Sequence, residues 1–246
     1  MKIIIIAAGS GKRLGENTKN LPKYLIKVNE KTIMENQLEI FKKIPHKEII
    51  VITGPHKEKF TLNDVTYVED KHYPQHDILG SLMEAREHIL GEVLIVYSDI
   101  IFDGDVFSKI ANAKSDIAIA VDMNWEKAYE GRTQHPKSEA ENVLIVNNKT
   151  SKIKKNITDR NNVGEFLGIL KLSAKGTEIF VKTFLELEQN HQGRFHDAPS
   201  LQRAYLTDMI QELVDAGIDV IPIMINGKWC EIDTSEDLKR ASQLFN

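Results

Sequence analysis

At 246 residues, with 41% hydrophobic and 28% charged residues, the chain has the composition of a globular protein able to bury a substantial core. A net charge of −4 excludes a global basic field for nucleic acid, and a single cysteine, Cys230, excludes an internal disulfide and fits a reducing compartment. The apolar run at residues 3–8 is too short for a signal-peptide core or a membrane span, so a cytoplasmic protein with no membrane partner is expected.

That run, Ile3-Ile4-Ile5-Ile6-Ala7-Ala8, is the first predicted element. Its β-branched residues read as a buried parallel strand. It breaks into Gly9-Ser10-Gly11, where small residues let a backbone approach a bulky ligand and offer its N–H groups to anionic oxygens. Lys12, Arg13 and Lys23 place three cations around the same spot. A strand, a tight glycine turn and clustered cations suit a polyphosphate. Two familiar phosphate loops are excluded. A Walker A loop needs glycine where Ile6 stands and Ser or Thr where Arg13 stands. The dinucleotide fingerprint needs a third glycine where Leu14 stands.

Further along, residues 31–43 read as a helix with Met34, Leu38 and Phe41 on one face, and residues 48–53 as a strand stopped by Gly54-Pro55. Residues 65–68 form a short strand. Residues 78–90 read as a helix with Leu79, Leu82, Met83, Arg86 and Leu90 at helical spacing, Asp77 at the N-cap and Gly91 as the stop. The apolar run at 93–97 is a buried strand that delivers Ser98 and Asp99 at its C-terminal end. This alternation predicts an α/β fold, a mostly parallel twisted sheet with helices on both faces.

The second half changes character. Residues 117–121 read as a strand, and residues 122–141 carry no steady period. Runs at 142–146, 152–157 and 165–172 predict a small antiparallel excursion. Residues 175–189 read as a helix. Leu206, Met209, Ile210, Leu213 and Val214 give an amphipathic helix closed by Gly217. The last predicted strands lie at 220–225 and 229–232, and Thr234 with Asp237 reads as a capping box for a C-terminal helix. No repeat, low-complexity tract or linker divides the chain, so a single domain over 1–246 is expected.

Asp99 ends a buried strand, and ligands of open α/β sheets bind beyond the carboxyl ends of their strands. Mg²⁺ favours one or two carboxylates completed by phosphate oxygens, so Asp99 is a candidate ligand, with Asp233 as a second. Asp233 equally suits a helix-capping role. Spacing does not bring the two aspartates together.

Ala-Ala-Gly-x-Gly-x-Arg-Leu at residues 7–14, followed by Pro22-Lys23, resembles the signature of nucleotidyltransferases that join an NTP to a phosphorylated small molecule. Trp125, Tyr129 and Gly131-Arg132-Thr133-x-His135-Pro136-x-Ser138-Glu139-Ala140-Glu141 resemble the central block of one branch of that superfamily. The branch holds CTP-dependent enzymes acting on phosphocholine, 2-aminoethylphosphonate and, among surface-polysaccharide relatives, phosphorylated glutamine. The segments 165–169 and 229–238 match it too, so the resemblance runs from Met1 to about Ala241. One departure is Asp77 in Asp77-Ile78-Leu79-Gly80-Ser81, where the branch usually carries asparagine.

The resemblance implies a Rossmann-like nucleotidyltransferase whose nucleotide-binding part lies at about 1–115 and whose acceptor-binding part lies at about 116–246. It implies Mg²⁺ on Asp99 and Asp233, and nucleotide contacts from Ala7, Ala8, Gly9, Ser10, Gly11, Asp77, Gly80, Ser81 and Asp99. Lys12 and Arg13 are expected at the departing pyrophosphate and Lys23 at the α-phosphoryl group, with no general base needed. His72, His76, His135 and His196 are accordingly given no acid–base role. For the acceptor, Trp125 and Tyr129 either stack on a cationic headgroup or pack locally. Glu139, Glu141 or Glu165 would add charge, and Arg132 and Lys155 are candidates for its phosphate. Partners would be CTP and a small phosphorylated or phosphonate acceptor, with a homodimer suggested by the resemblance. A sugar-1-phosphate nucleotidyltransferase using UTP or dTTP and a non-catalytic nucleotide-binding module are the rival readings.

Overall fold

The computed structural model describes residues 1–246 apart from Ser10, Arg160 and the side chain of Asn17. The first half runs β1 (Lys2–Ala7), β2 (Lys27–Val28), β3 (Lys31–Thr32), α1 (Ile33–Phe41), β4 (Glu48–Thr53), β5 (Thr66–Glu69), α2 (Ile78–Glu84), β6 (Val93–Tyr97), β7 (Ile100–Phe102) and α3 (Gly104–Ala111). The second half runs β8 (Ile117–Asp122), β9 (Glu141–Val146), β10 (Lys149–Lys155), β11 (Val163–Leu172), α4 (Ala174–Asn190), α5 (Leu206–Asp215), β12 (Ile221–Met224), β13 (Trp229–Glu231) and α6 (Ser235–Leu244).

Strands β5, β4, β1 and β6 pair in parallel, in that order. The long strand β11 then runs antiparallel to β6 along one half and to β9 along the other, while β8 pairs with its opposite edge. Strand β12 lies parallel to β8, and β10 forms a hairpin with β9. The sheet is thus mixed, its parallel part set by the first half of the chain and its antiparallel part by β9, β10 and β11, as the run spacing anticipates.

Alternation along β1 explains why helices cover both faces. Ile3, Ile5 and Ala7 join a core with Met34, Leu38 and Phe41 of α1 and Phe107 of α3. Ile4, Ile6 and Ala8 join a second core with Leu79 of α2, Phe180 of α4 and Leu213 of α5. An all-apolar strand is what a sheet buried on both faces requires.

The structure corrects several boundaries. Helix α1 begins at Ile33, because Thr32 and Glu35 form a reciprocal capping box and Lys31–Thr32 is spent on the β2–β3 hairpin. Helix α2 stops at Glu84 and gives way to a 3₁₀ turn over Arg86–His88, so Leu90 faces solvent instead of the core. Strand β10 starts at Lys149, after Asn147 and Asn148 both take left-handed φ values of 51° and 60°. Two such residues form the tight turn whose twist suits a two-residue hairpin. The C-terminal capping box is present, with Thr234 Oγ1 accepting from Asp237 N at 3.2 Å.

An unforeseen feature is the small antiparallel ladder between β7 and β13, pairing Ile100 with Glu231 and Phe102 with Trp229. It continues one step further, as Ile232 N donates to Asp99 O at 2.8 Å. The sequence gives no sign of this pairing, since the two strands lie far apart along the chain.

Strand β11 also breaks register with β8 between Phe166 and Leu170, at Gly168, whose φ is +67°. A Cβ there would collide with the Tyr97 ring as well as strain the backbone. Gly168→Ala is therefore expected to destabilise the fold by about 1 kcal/mol or more, read as a lower urea midpoint at unchanged m-value.

Candidate functional site

The carboxyl ends of β1 and β6 open onto a cleft of about 690 Å³. Its walls come from the glycine turn, the loop before α2, the end of β6, the interior of β11 and the segment around β13. The cleft gathers residues from the whole length of the chain.

The glycine turn forms the near wall. Ala8, Gly9, Gly11, Lys12 and Arg13 line it, while Ser10, expected with them, falls outside the described residues. Gly11 has φ +60°, and a Cβ on it would stand 2.9 Å from Thr18 Cγ2 and 3.1 Å from Lys23 Cβ. A side chain there would push against the segment that carries Lys23. Thr18 Oγ1 donates back to Gly11 O at 2.8 Å and holds the turn closed. Ala7 is the buried last residue of β1 and lies behind the wall.

Lys23 is the centre of the site. Its side chain is 10% exposed, and its ammonium bonds Asp99 Oδ2 at 2.9 Å and Asp233 Oδ1 at still closer range. Arg13 adds a bond to Asp233 Oδ2 at 2.7 Å. Burial alone would pull the Lys23 pKa down; the charges of Asp99 and Asp233 outweigh it and hold the value above the ordinary lysine range. Burial likewise opposes ionisation of Asp233, and the Lys23 charge overcomes it and holds Asp233 below the usual carboxylate range. The two aspartates, which spacing left unconnected, converge on one cation because the β7–β13 ladder sets residues 99 and 232 opposite each other. Two hard oxygen donors gathered around a positive charge are a set that Mg²⁺ accepts.

A polar clamp underneath was not foreseen. Gln37, 1% exposed, accepts from Tyr24 Oη at 2.8 Å and donates to the carbonyls of Tyr97 at 2.9 Å and Ile100 at 2.7 Å. It ties the segment after Lys23 to the backbone on both sides of Asp99. Gln37 sits among the apolar residues of α1, and its isolation on that face was the one available signal.

Asp77 and Ser81, at the start of α2, also line the cleft. Ser81 Oγ donates to the buried Asp70 at 2.7 Å, and Asp77 N donates to Gln202 O at 3.1 Å. Gly80 is a packing position, where a Cβ would collide with the Gln202 carbonyl. Lys155, Glu139, Glu141 and Glu165 also line the cleft. Lys155 Nζ bonds Glu139 Oε2 at 2.8 Å and stands 5.6 Å from the centre of the Tyr205 ring.

Three expected acceptor contacts lie elsewhere. Trp125, Tyr129 and Arg132 are outside the cleft wall. Trp125 Nε1 donates to Val163 O at 3.2 Å, and its ring meets Tyr129 edge-on at 5.6 Å. Tyr129 is buried and donates its hydroxyl to Glu165. Arg132 has a side chain 2% exposed, stacked 4.7 Å from the Tyr129 ring centre and paired with Asp237 Oδ1 at 2.8 Å. For Tyr129 and Arg132 these contacts correct the expectation of an acceptor grip, since both side chains are buried in local packing; Trp125 is half-buried and, of its two readings, packs locally against Tyr129. Burial would lower the Arg132 pKa, but Asp237 and Glu231 hold it above the ordinary value. The Gly-Arg-Thr-x-His-Pro block is a brace. Thr133 N and Gln134 N also donate to Glu236 Oε2 at 2.8 and 3.0 Å, docking the block on the start of α6.

The brace delivers one residue to the cleft that residue-type reasoning set aside. His135 is 2% exposed, with Nδ1 3.3 Å from Asp233 Oδ2 and Nε2 3.4 Å from Glu231 Oε2. Burial, then the nearby Arg132 charge, lower its pKa, so it is neutral at pH 7. Burial, and then the charges of Asp233 and Asp99, push the Glu231 carboxyl up.

These features belong to a nucleotidyltransferase. Residues 3–152 match the family model of the MobA-like NTP transferase domain, and the chain belongs to that family. Over 97% of its length it is 26% identical to the CTP:phosphoglutamine cytidylyltransferase of Campylobacter jejuni, covering 98% of that protein. Over 42% of its length it is 35% identical to the choline-phosphate cytidylyltransferase of Streptococcus pneumoniae, covering 46% of that protein. Among solved structures, the CTP:phosphocholine cytidylyltransferase of Streptococcus pneumoniae matches with a TM-score of 0.77 at 22% identity, over 100% of this chain and 99% of that one. The inositol-1-phosphate CTP transferase of T. maritima matches with a TM-score of 0.75 at 21% identity, over 99% of this chain and 94% of that one. Both share the fold. No helix among the described residues is long and apolar enough to cross a membrane.

Two predictions follow from this packing. Arg132→Ala leaves Asp237 buried without its cation and is expected to cost about 3–5 kcal/mol in urea unfolding. Glu165, 4% exposed, has its pKa raised by burial to about 8. The folded state then binds a proton that the unfolded state has released between about pH 4.5 and 8. Stability should fall with rising pH across that window, by up to about 1.4 kcal/mol per unit. Glu165→Gln should flatten the slope in pH-dependent unfolding.

Proposed function

We propose that the protein is a Mg²⁺-dependent cytidylyltransferase. It joins CTP to a small phosphorylated or phosphonate headgroup such as phosphocholine, 2-aminoethylphosphonate or phosphoglutamine. The products are a CDP-headgroup and pyrophosphate, and the CDP-headgroup serves to decorate a surface polysaccharide or lipid. The observation that carries this reading is the buried Lys23 ammonium held between Asp99 and Asp233 beside the glycine turn. The near full-length likeness to the phosphoglutamine enzyme supports CTP as the nucleotide.

The chemistry follows from charge. An acceptor oxygen attacks the α-phosphorus of CTP, a bond to that phosphorus forms, the bond to the β-phosphate oxygen breaks, and pyrophosphate leaves. Two polyanions must meet, and in a cleft of intermediate polarity their repulsion is several kcal/mol. Lys12 and Arg13 on the glycine turn are placed to take charge on the departing pyrophosphate. Lys23 supplies positive charge at the α-phosphoryl group. The acceptor phosphate is already ionised at pH 7, so no side chain need remove a proton. Neutral His135 lies against Asp233 and adds no charge of its own. Mg²⁺ held by Asp99 and Asp233 would neutralise phosphate oxygens. The acceptor would sit beside Lys155 and Glu165, both of which line the cleft.

The test pairs each of CTP, UTP, dTTP, ATP and GTP with phosphorylated headgroups and sugar 1-phosphates, in the presence of inorganic pyrophosphatase. Phosphate release should require CTP, with a CDP-linked product identified by mass spectrometry. Faster turnover with UTP or dTTP on a sugar 1-phosphate would replace this reading. Lys23→Ala should lower turnover at least ~10²-fold, the scale for losing one transition-state charge contact.

A further inference from the structure

Outside the phosphate-binding centre, one cluster of metal-binding side chains has no part in the chemistry above. Asp70 follows β5, His72 and His76 sit on the loop that leads to α2, and Glu84 ends α2. Each offers one ligand atom, and all four atoms lie within 4.8 Å of one another. His76 Nδ1 is 3.1 Å from Asp70 Oδ1 and 3.9 Å from Glu84 Oε1, and His72 Nδ1 is 3.6 Å from Glu84 Oε1.

Those separations match a known shape. A tetrahedral ion with bonds of 2.0–2.1 Å has its ligand atoms roughly 3.3–3.4 Å apart. Three edges of the cluster, at 3.1, 3.6 and 3.9 Å, straddle that length, and the other three lie within 4.8 Å. The residues are also held for the purpose. Asp70 has a fully buried side chain, fixed by Ser81 Oγ at 2.7 Å and His72 N at 2.8 Å. His72 and His76 are one turn apart, since the backbone N–H of His76 donates to His72 O at 3.1 Å, so both rings rise on the same side.

We infer that Asp70, His72, His76 and Glu84 form a binding site for a borderline first-row divalent cation of the zinc class. Two imidazoles with two carboxylates are a donor set that zinc and cobalt accept. Mg²⁺ prefers an all-oxygen octahedron and is a poor fit, so the site is chemically distinct from the Asp99–Asp233 pair. The ion would staple residues 70–76 to the end of α2. Tyr73, Pro74 and His76 of that loop line the cleft, so the staple fixes that part of its wall.

Co²⁺ is the direct probe, because its tetrahedral complexes absorb in the visible. Chelator-treated full-length protein should take up one equivalent of Co²⁺ with a tetrahedral spectrum that Zn²⁺ abolishes and millimolar Mg²⁺ leaves in place. His72→Ala and Glu84→Gln should each weaken uptake more than ~10-fold, the minimum seen even when an outer partner of a metal ligand is lost. The His72 side chain is 67% exposed, so its removal leaves the packing intact. Zn²⁺ should raise the melting temperature of the parent and not of His72→Ala. Absence of a tetrahedral spectrum in the parent would overturn the site. So would variants that bind Co²⁺ as tightly as the parent, since the ion would then sit at the His135, Glu231 and Asp233 group.

Discussion

Two carboxylates beside strands far apart in sequence share one ammonium, and the rest of the molecule serves that arrangement. At a separation of about 4 Å and an effective dielectric near 20, two like charges repel by about 4 kcal/mol. Asp99 and Asp233 tolerate each other because Lys23 reaches both and Arg13 reaches the second. The Tyr24–Gln37 clamp fixes the ammonium from below, and the β7–β13 ladder fixes the carboxylates from the side. The same concentration of charge that costs energy in the resting protein is what a triphosphate requires of its binding site.

The brace formed by residues 131–136 shows how a motif can be informative for a reason other than the obvious one. Arg132 has the chemistry of a phosphate grip, yet its guanidinium is buried against Tyr129 and Asp237. It stabilises the segment that carries Asp233 and positions His135 against that carboxylate. A family resemblance built on this block therefore reports the shape of the support beneath the site as much as the choice of acceptor.

Much of the fold was legible in the chain. The unbroken apolar run of β1 announced a sheet covered on both faces, and Thr234 with Asp237 announced the last helix. The glycine turn, Lys23 and Asp99 were legible because local spacing carries them. What sequence spacing could not carry was non-local. The β7–β13 pairing joins short runs more than a hundred residues apart, and no periodicity marks it. Nothing local marks His135 as a residue that the brace folds inward, and Gln37 is marked only by its polarity on the apolar face of α1, not by its three hydrogen bonds. Leu90 had the right helical phase but follows a 3₁₀ turn that rotates it away from the core.

The ladder that sets residue 99 against residue 232 has a consequence for biosynthesis. A nascent chain that has emerged as far as residue 200 already contains the glycine turn, Lys23 and β6, and can assemble the parallel sheet from neighbours close in sequence. It lacks β13 and Asp233, so Lys23 has one anionic partner instead of two. The two-carboxylate centre is thus the last part of the cleft to be completed, once β13 and Asp233 have left the ribosome.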